Sequence, residues 1–193
     1  MFSFKFGTMN SGKSMLLLSK AHNFEERGIP FLIFKSTIDT RDGNSVIHSR
    51  PLGDKKCISI SPTEKFSDKF DLQNTNVKWI LVDEAQFLTT EQIDELGDIV
   101  DFYGINVICY GLKTDFQTHL FEGSKRLFEI ADSFEEIKSQ CNCSGKNIFN
   151  ARIDGDGNVI TEGEQIEVGA EDRYLSMCRK CYKEAIRNNI NNK

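Results

Sequence analysis

The chain has 193 residues, with 24 Lys+Arg against 29 Asp+Glu for a net charge of −5, and 39% of it is hydrophobic. That length supports one large domain, or one domain with a small appendage, and those proportions can bury a real core. The mild acidity points away from a protein whose main job is coating nucleic acid or an anionic membrane, and no apolar run approaches a membrane span.

Phe2 to Phe6 alternates apolar and polar residues and predicts a strand starting almost at the first residue. After the Gly-rich GTMNSGKS, Met15 to Arg27 carries Leu17, Leu18, Ala21 and Phe24 at helical spacing, stopped by Gly28 and Pro30. Phe31 to Phe34 predicts a short buried strand, and the polar stretch from Lys35 to Lys56 a long loop. Cys57 to Ile60 predicts a strand, Pro62 to Leu72 a short amphipathic helix, and Val77 to Val82 a buried strand ending in DEAQ. Thr89 and Gln92 form a capping box that opens a helix to about Tyr103, closed by Gly104. A strand over Ile105 to Tyr110, a helix over Ser124 to Ala131 and a last strand over Ser133 to Ile137 complete the alternation. Strand and helix in turn predict an α/β fold with a mainly parallel sheet and helices on both faces. Beyond residue 140 the character changes: CNC, a hairpin around Asp154 to Asn158, then CRKC leading into a final helix. The expected division is 1–138 for the α/β domain and 139–193 for a small Cys-framed unit, whose Asn-rich tail from Asn188 to Lys193 frays.

Gly7-Thr-Met-Asn-Ser-Gly12-Lys13-Ser14 fits G-x-x-x-x-G-K-[ST], with a strand entering and a helix leaving. The glycines let backbone N–H groups curl around phosphate oxygens, at the positive end of the following helix. Lys13 then reaches the β- and γ-phosphates and the Ser14 hydroxyl ligates Mg²⁺. The metal's acidic partner comes from the end of a buried strand, where Asp83 is placed to hold Mg²⁺ and Glu84 lies near the γ-phosphate. Glu84 could polarise water in an ATPase or take a proton from a substrate hydroxyl in a kinase. The GTPase reading is poor, because Leu112-Lys113-Thr114-Asp115 lacks the guanine-reading Asn and DEAQ lacks a glycine.

MFSFKFGT shows neither the charged nor the apolar region of an export signal, so a cytoplasmic, reducing setting is expected. The six cysteines are then core thiols, catalytic thiols or metal ligands rather than disulfides. Cys141-Asn-Cys143 and Cys178-Arg-Lys-Cys181 suit a structural tetrahedral Zn²⁺, although the first pair is one residue shorter than C-x-x-C. Cys57 and Cys109 lie in apolar runs and are expected in the core. Asp154 to Asn158 imitates an EF-hand loop but carries Val159 and Gln165 at its Gly and Glu positions, so a β-turn explains it better. His22, His48 and His119 are scattered and are assigned no chemistry.

GTMNSGKS, Asp39-Thr40-Arg41, DEAQF (Asp83 to Phe87), GLKTDF (Gly111 to Phe116) and the late paired cysteines, in this order, resemble the type II thymidine kinases from Phe2 to about Ala185. The resemblance implies a RecA-like P-loop domain with a small zinc-ribbon or lasso domain. It implies transfer of the ATP γ-phosphate to the 5′-hydroxyl of thymidine or deoxyuridine in pyrimidine salvage. On this pattern Gly7, Thr8, Met9, Asn10, Ser11, Gly12, Lys13, Ser14, Asp83, Glu84, Ala85 and Gln86 bind ATP. Glu84 looks like the general base, with Lys13 and Arg41 steadying the transferring phosphoryl charge. Mg²⁺ is held by Ser14 and Asp83, with Asp39 assisting. The loop after Arg41 looks like a lid, and Ile47 to Gly53 matches the family's I-x-S-R-x-x-G stretch. Base recognition falls to Gln165 to Tyr174, where Ile166, Glu167, Val168 and Gly169 use main-chain atoms. Met9, Phe87, Leu112, Phe116, Phe121 and Tyr174 wall the base and sugar, with ordinary core packing the commoner role for Phe121 taken alone. Ala170 stands where the family commonly has a second glycine, so that turn differs slightly. The family also implies a homotetramer and inhibition by thymidine triphosphate, while the acidic balance leads to the expectation of no nucleic-acid or membrane partner. The rivals are a P-loop ATPase motor whose zinc unit binds nucleic acid, and a non-enzymatic nucleotide sensor.

Overall fold

The computed structural model describes residues 1–39, 45–49, 52–166 and 173–191, without the side chains of 189–191. The chain runs β1 (Phe2–Gly7), α1 (Lys13–Glu26), β2 (Phe31–Ser36), β3 (Val46–Ser49), β4 (Gly53–Lys56) and β5 (Ile58–Ile60). It continues through β6 (Trp79–Asp83), α2 (Thr90–Tyr103), β7 (Asn106–Gly111), α3 (Glu122–Ile130) and β8 (Ser133–Ile137). The last part holds β9 (Phe149–Ile153), β10 (Val159–Ile160), β11 (Tyr174–Met177) and α4 (Arg179–Asn191).

Among the described residues, six strands form one sheet in the order β5-β2-β6-β7-β1-β8, and every pairing in it is parallel. The central strands are apolar on both faces because helices cover both. Ile80 and Val82 of β6, with Val107 and Cys109 of β7, pack against Ile93, Leu96 and Ile99 of α2 and Leu127 of α3. Leu81, Ile108 and Tyr110 point the other way, onto Leu17, Leu18, Ala21 and Phe24 of α1. Each buried Val, Leu, Ile or Phe among them contributes about 1.5–3 kcal/mol relative to exposure. The capping box forms as expected: Thr89 Oγ1 accepts from the Gln92 N–H, Gln92 Oε1 accepts from the Thr89 N–H, and Gly104 closes α2 at φ 66°.

Three expectations are corrected. The stretch from Pro62 to Leu72 forms only a 3-10 turn at Phe66–Asp68, because Glu95 of α2 accepts from the Phe66 and Ser67 N–H groups and caps the turn from outside. The polar stretch after Lys35 is not all loop: β2 extends to Ser36, and β3 and β4 pair antiparallel. Cys109 is buried as expected, whereas Cys57 is only half-buried at the start of β5. No helix among the described residues is long and apolar enough to cross a membrane.

The Cys-framed unit carries its own antiparallel sheet, β10-β9-β11, with Ala151, Val159 and Tyr182 as its core. Its β9–β10 turn is held by Asp154 Oδ1, which accepts from the Asp156 and Asn158 N–H groups, while Gly157 takes φ 85°. That is the β-turn expected, with the Gly157 N–H donating to the Asp154 carbonyl at 3.1 Å.

Candidate active site

The carboxyl ends of parallel strands are where open α/β sheets bind ligands, and here β1, β7 and β6 end side by side at Gly7, Gly111 and Asp83. The chain leaves β1 through Thr8 to Gly12 and enters α1 at Lys13. Gly12 has φ 90°, a left-handed conformation that a Cβ would strain, so glycine suits the turn into the helix. Lys13 is buried and its Nζ donates to the Thr8 carbonyl at 2.9 Å. One residue on, the Ser14 hydroxyl donates to Asp83 Oδ2 at 3.1 Å, across the intervening β7.

Asp83 is 2% exposed, and its other oxygen, Oδ1, has no hydrogen-bond partner among the described residues. Burial first, then the neighbouring Glu84 charge, pushes its carboxyl up to about 7, against the pull of Lys13. An orphaned carboxylate oxygen beside a serine hydroxyl is a donor set that fits a hard divalent cation such as Mg²⁺. Glu84 itself takes φ 51°, the left-handed region a non-glycine residue enters at a cost of about 1–3 kcal/mol. Its Oε2 accepts from Gln86 Nε2 at 2.6 Å, while Gln86 Oε1 accepts from the Leu112 N–H at 3.0 Å. The Gln86 amide is thereby oriented by a backbone N–H and holds Glu84 in place from the end of β7.

Leu112 opens a segment that runs towards the Cys-framed unit. The guanidinium of Arg152 lies 3.8 Å from the centre of the Phe116 ring, and its Nε and Nη2 both donate to the Tyr174 hydroxyl at 2.8 and 2.6 Å. Asp115 Oδ2 accepts from Gln165 Nε2 at 2.8 Å, and the Tyr182 hydroxyl donates to the Phe116 carbonyl at 2.9 Å. Contacts therefore lead from Glu84 through Gln86 to Leu112, and, four residues along the chain, from Phe116 through Arg152 to Tyr174.

In the second unit the sulfurs of Cys141, Cys143, Cys178 and Cys181 all lie within 4.8 Å of one another. Tetrahedral zinc–thiolate bonds of about 2.3 Å require sulfurs about 3.8 Å apart, so the shortened C-x-C pair fits such a site. Backbone N–H groups of Cys143 and Cys178 bring the Cys141 thiol down to about 6, towards the thiolate a metal needs. Hydrogen bonding from the other sulfurs pushes Cys181 up to about 12. Four thiols this close cannot all ionise unless a cation neutralises them.

The family model for thymidine kinase matches residues 1–182. The chain belongs to the thymidine kinase family. It is 44% identical over 183 residues to the thymidine kinase of Haemophilus influenzae, covering 94% of this chain and 95% of that one. The thymidine kinases of Pasteurella multocida and Enterobacteria phage T4 are also 44% identical, covering 95% and 94% of this chain and 96% and 94% of their own.

Within this family member, the structure brings together some of the sequence-predicted residues and not others. Lys13, Ser14, Asp83, Glu84 and Gln86 come together at the strand ends. Leu112, Phe116 and Tyr174 join the connected set, while Phe121 is buried edge-on to Phe87 at 5.8 Å and Ile166 is exposed. Asp39 is buried in an ion pair with Lys35 Nζ at 3.2 Å. Thr40, Arg41, Arg50, Glu167, Val168, Gly169 and Ala170 lie outside the described residues. The sequence reading missed Lys35, Asn150, Arg152 and Ser176. The available signal was the period-two placement of polar residues in short strands, at 150 and 152 and at 174 and 176.

Proposed function

We propose that this protein transfers the γ-phosphate of ATP to the 5′-hydroxyl of thymidine or deoxyuridine. Membership of the thymidine kinase family supports thymidine phosphorylation with ATP. The observation that carries the chemistry is Glu84, buried beside Asp83 and the P-loop and aimed by Gln86. Phosphoryl transfer demands positioning and charge neutralisation more than covalent chemistry. Loop residues 7–14 cradle the phosphates, and Lys13 turns from the Thr8 carbonyl to the β- and γ-oxygens. Glu84 accepts the proton of the attacking 5′-hydroxyl. Arg41 steadies the charge on the phosphoryl group in flight. Ser14 and Asp83, with Asp39, would hold a Mg²⁺ ion, which would supply charge neutralisation to the phosphates. The aromatic set at Phe116 and Tyr174, with main-chain atoms of residues 166–169, receives the base.

Zn²⁺ on Cys141, Cys143, Cys178 and Cys181 pins the segment between β10 and β11, which holds those base-contacting residues. We assign residues 139–193 to this lasso unit and 1–138 to the catalytic domain. The working form is a cytoplasmic homotetramer inhibited by thymidine triphosphate. Incubation with γ-labelled ATP and thymidine, deoxycytidine, single-stranded DNA or no acceptor tests the reading. Label is expected in thymidine monophosphate. DNA-stimulated phosphate release without nucleoside labelling would sink it in favour of a P-loop motor.

A further inference from the structure

The small sheet presents two directly opposed side-chain pairs on one face, since alternate residues of a strand share a face. Arg152 of β9 lies opposite Tyr174 of β11, and Asn150 lies opposite Ser176. The first pair is the one joined to Phe116. The second reaches the P-loop. Asn150, 4% exposed, accepts the Met9 N–H on Oδ1 at 2.8 Å. The single Ser176 hydroxyl proton has the Met9 carbonyl at 3.0 Å and Asn150 Oδ1 at 3.3 Å. Both backbone polar groups of Met9 are thus taken by side chains of the second unit. The next residue, Asn10, has φ 58°, so the loop turns sharply where it is held. Thr8, on the other side of Met9, is tied at its hydroxyl to Ser139 Oγ at 2.8 Å.

We propose that Asn150 and Ser176 are positioning residues that set the shape of the P-loop at Met9 and couple phosphate binding to nucleoside binding. The inference rests on the kinase reading above, in which Tyr174 faces the base. Tyr174 and Ser176 are two residues apart on one short strand, about 7 Å. A base that settles β11 against Tyr174 therefore also settles Ser176 against Met9. Conversely, phosphates that fix the loop hold β9 and β11 in register for the base. Removing the Asn150 acceptor leaves a Met9 N–H with no partner near the phosphate site, which favours other loop conformations.

The test is calorimetry on the zinc-loaded full chain, titrating thymidine with and without a non-hydrolysable ATP analogue. In the unmodified protein each ligand is expected to change the other's Kd by the same factor, as linkage requires. Asn150→Leu should bring that factor close to one and weaken ATP-analogue binding about tenfold, at unchanged zinc content. Ser176→Ala should move in the same direction, and Ser176→Thr, which keeps the hydroxyl, should retain the coupling. If Asn150→Leu fails to fold, the Ala and Thr variants of Ser176 decide the matter alone. An unmodified protein without coupling, or coupling that survives both Asn150→Leu and Ser176→Ala, overturns the proposal. Failure of the kinase reading is distinguishable, because the unmodified protein would then label no thymidine at all.

Discussion

Glu84 and Asp83 are adjacent carboxylates with different environments, which suit the different roles proposed for them. Glu84 is aimed by the amide of Gln86, whereas Asp83 keeps one buried oxygen without a partner among the described residues. Glu84→Gln preserves shape and burial but removes the proposed base. We expect kcat to fall about 10²–10⁴-fold while ATP-analogue affinity stays within about threefold, measured by steady-state kinetics and calorimetry. Near-normal turnover would remove Glu84 from its role. Asp83→Asn should separate stability from activity. The folded value of Asp83, about 7, lies above its unfolded value, so the native state binds that proton more tightly than the unfolded chain. Stability therefore falls as pH climbs from about 4 towards 7, and the charge continues to cost stability above that. At pH 8, without added metal, Asp83→Asn should melt higher than the unmodified protein and show almost no turnover. A lower melting temperature would show that the charge is already compensated. Asp83 and Glu84 were legible from the strand-end pattern. The Lys35–Asp39 ion pair was not, because it depends on two buried side chains meeting at the end of β2.

Elements place these residues through a few close approaches. The first turn of α3 lies against the 3-10 turn at Ala85–Phe87, and a Cβ at Gly123 would come within 2.5 Å of the Ala85 carbonyl oxygen and 2.7 Å of the Leu88 one. Backbone atoms cannot step aside as a flexible side chain can. Gly123→Ala is expected to destabilise the protein by about 1–3 kcal/mol in urea unfolding. It should also lower kcat, because any shift of Ala85 to Leu88 moves Gln86 and with it Glu84. An effect on stability with kcat unchanged would show that the turn yields without disturbing Gln86. Thr89→Ala, at the start of α2, removes one half of the capping box at a cost of about 1 kcal/mol. Its effect should be confined to stability. The contrast between that box and the failed helix over Pro62 to Leu72 is instructive. The box is local chemistry between residues three apart, whereas the 3-10 turn is capped by Glu95, 28 and 29 residues away in sequence.

At the scale of the molecule, the second unit has a small core, with Ala151, Val159 and Tyr182 the buried members of its apolar cluster among the described residues, so the four-thiol cluster is expected to be its main staple. Metal analysis should find about one zinc per chain. Cys178→Ser should lose it and raise the KM for thymidine much more than the affinity for ATP falls, since the segment before β11 loses its anchor. Equal loss of both would mean that zinc supports the whole fold rather than the base site. The two units meet at Met9 and Thr8 through Asn150, Ser176 and Ser139. Those contacts join positions more than 130 residues apart.

The sequence by itself determined what local chemistry and periodicity can encode. That covers the alternating α/β order, the P-loop at Gly7 to Ser14, the acidic strand end, the helix cap at Thr89 and the paired cysteines. Only the tertiary structure decided which distant side chains share a site. The gathering of four sulfurs, the Gln86 support of Glu84, the Arg152–Tyr174–Phe116 contact and the grip of Asn150 on Met9 all arise there. The physical reason is range. A motif acts through residues a few positions apart, whereas these contacts exist only once the sheet has fixed the positions of strands remote in the chain.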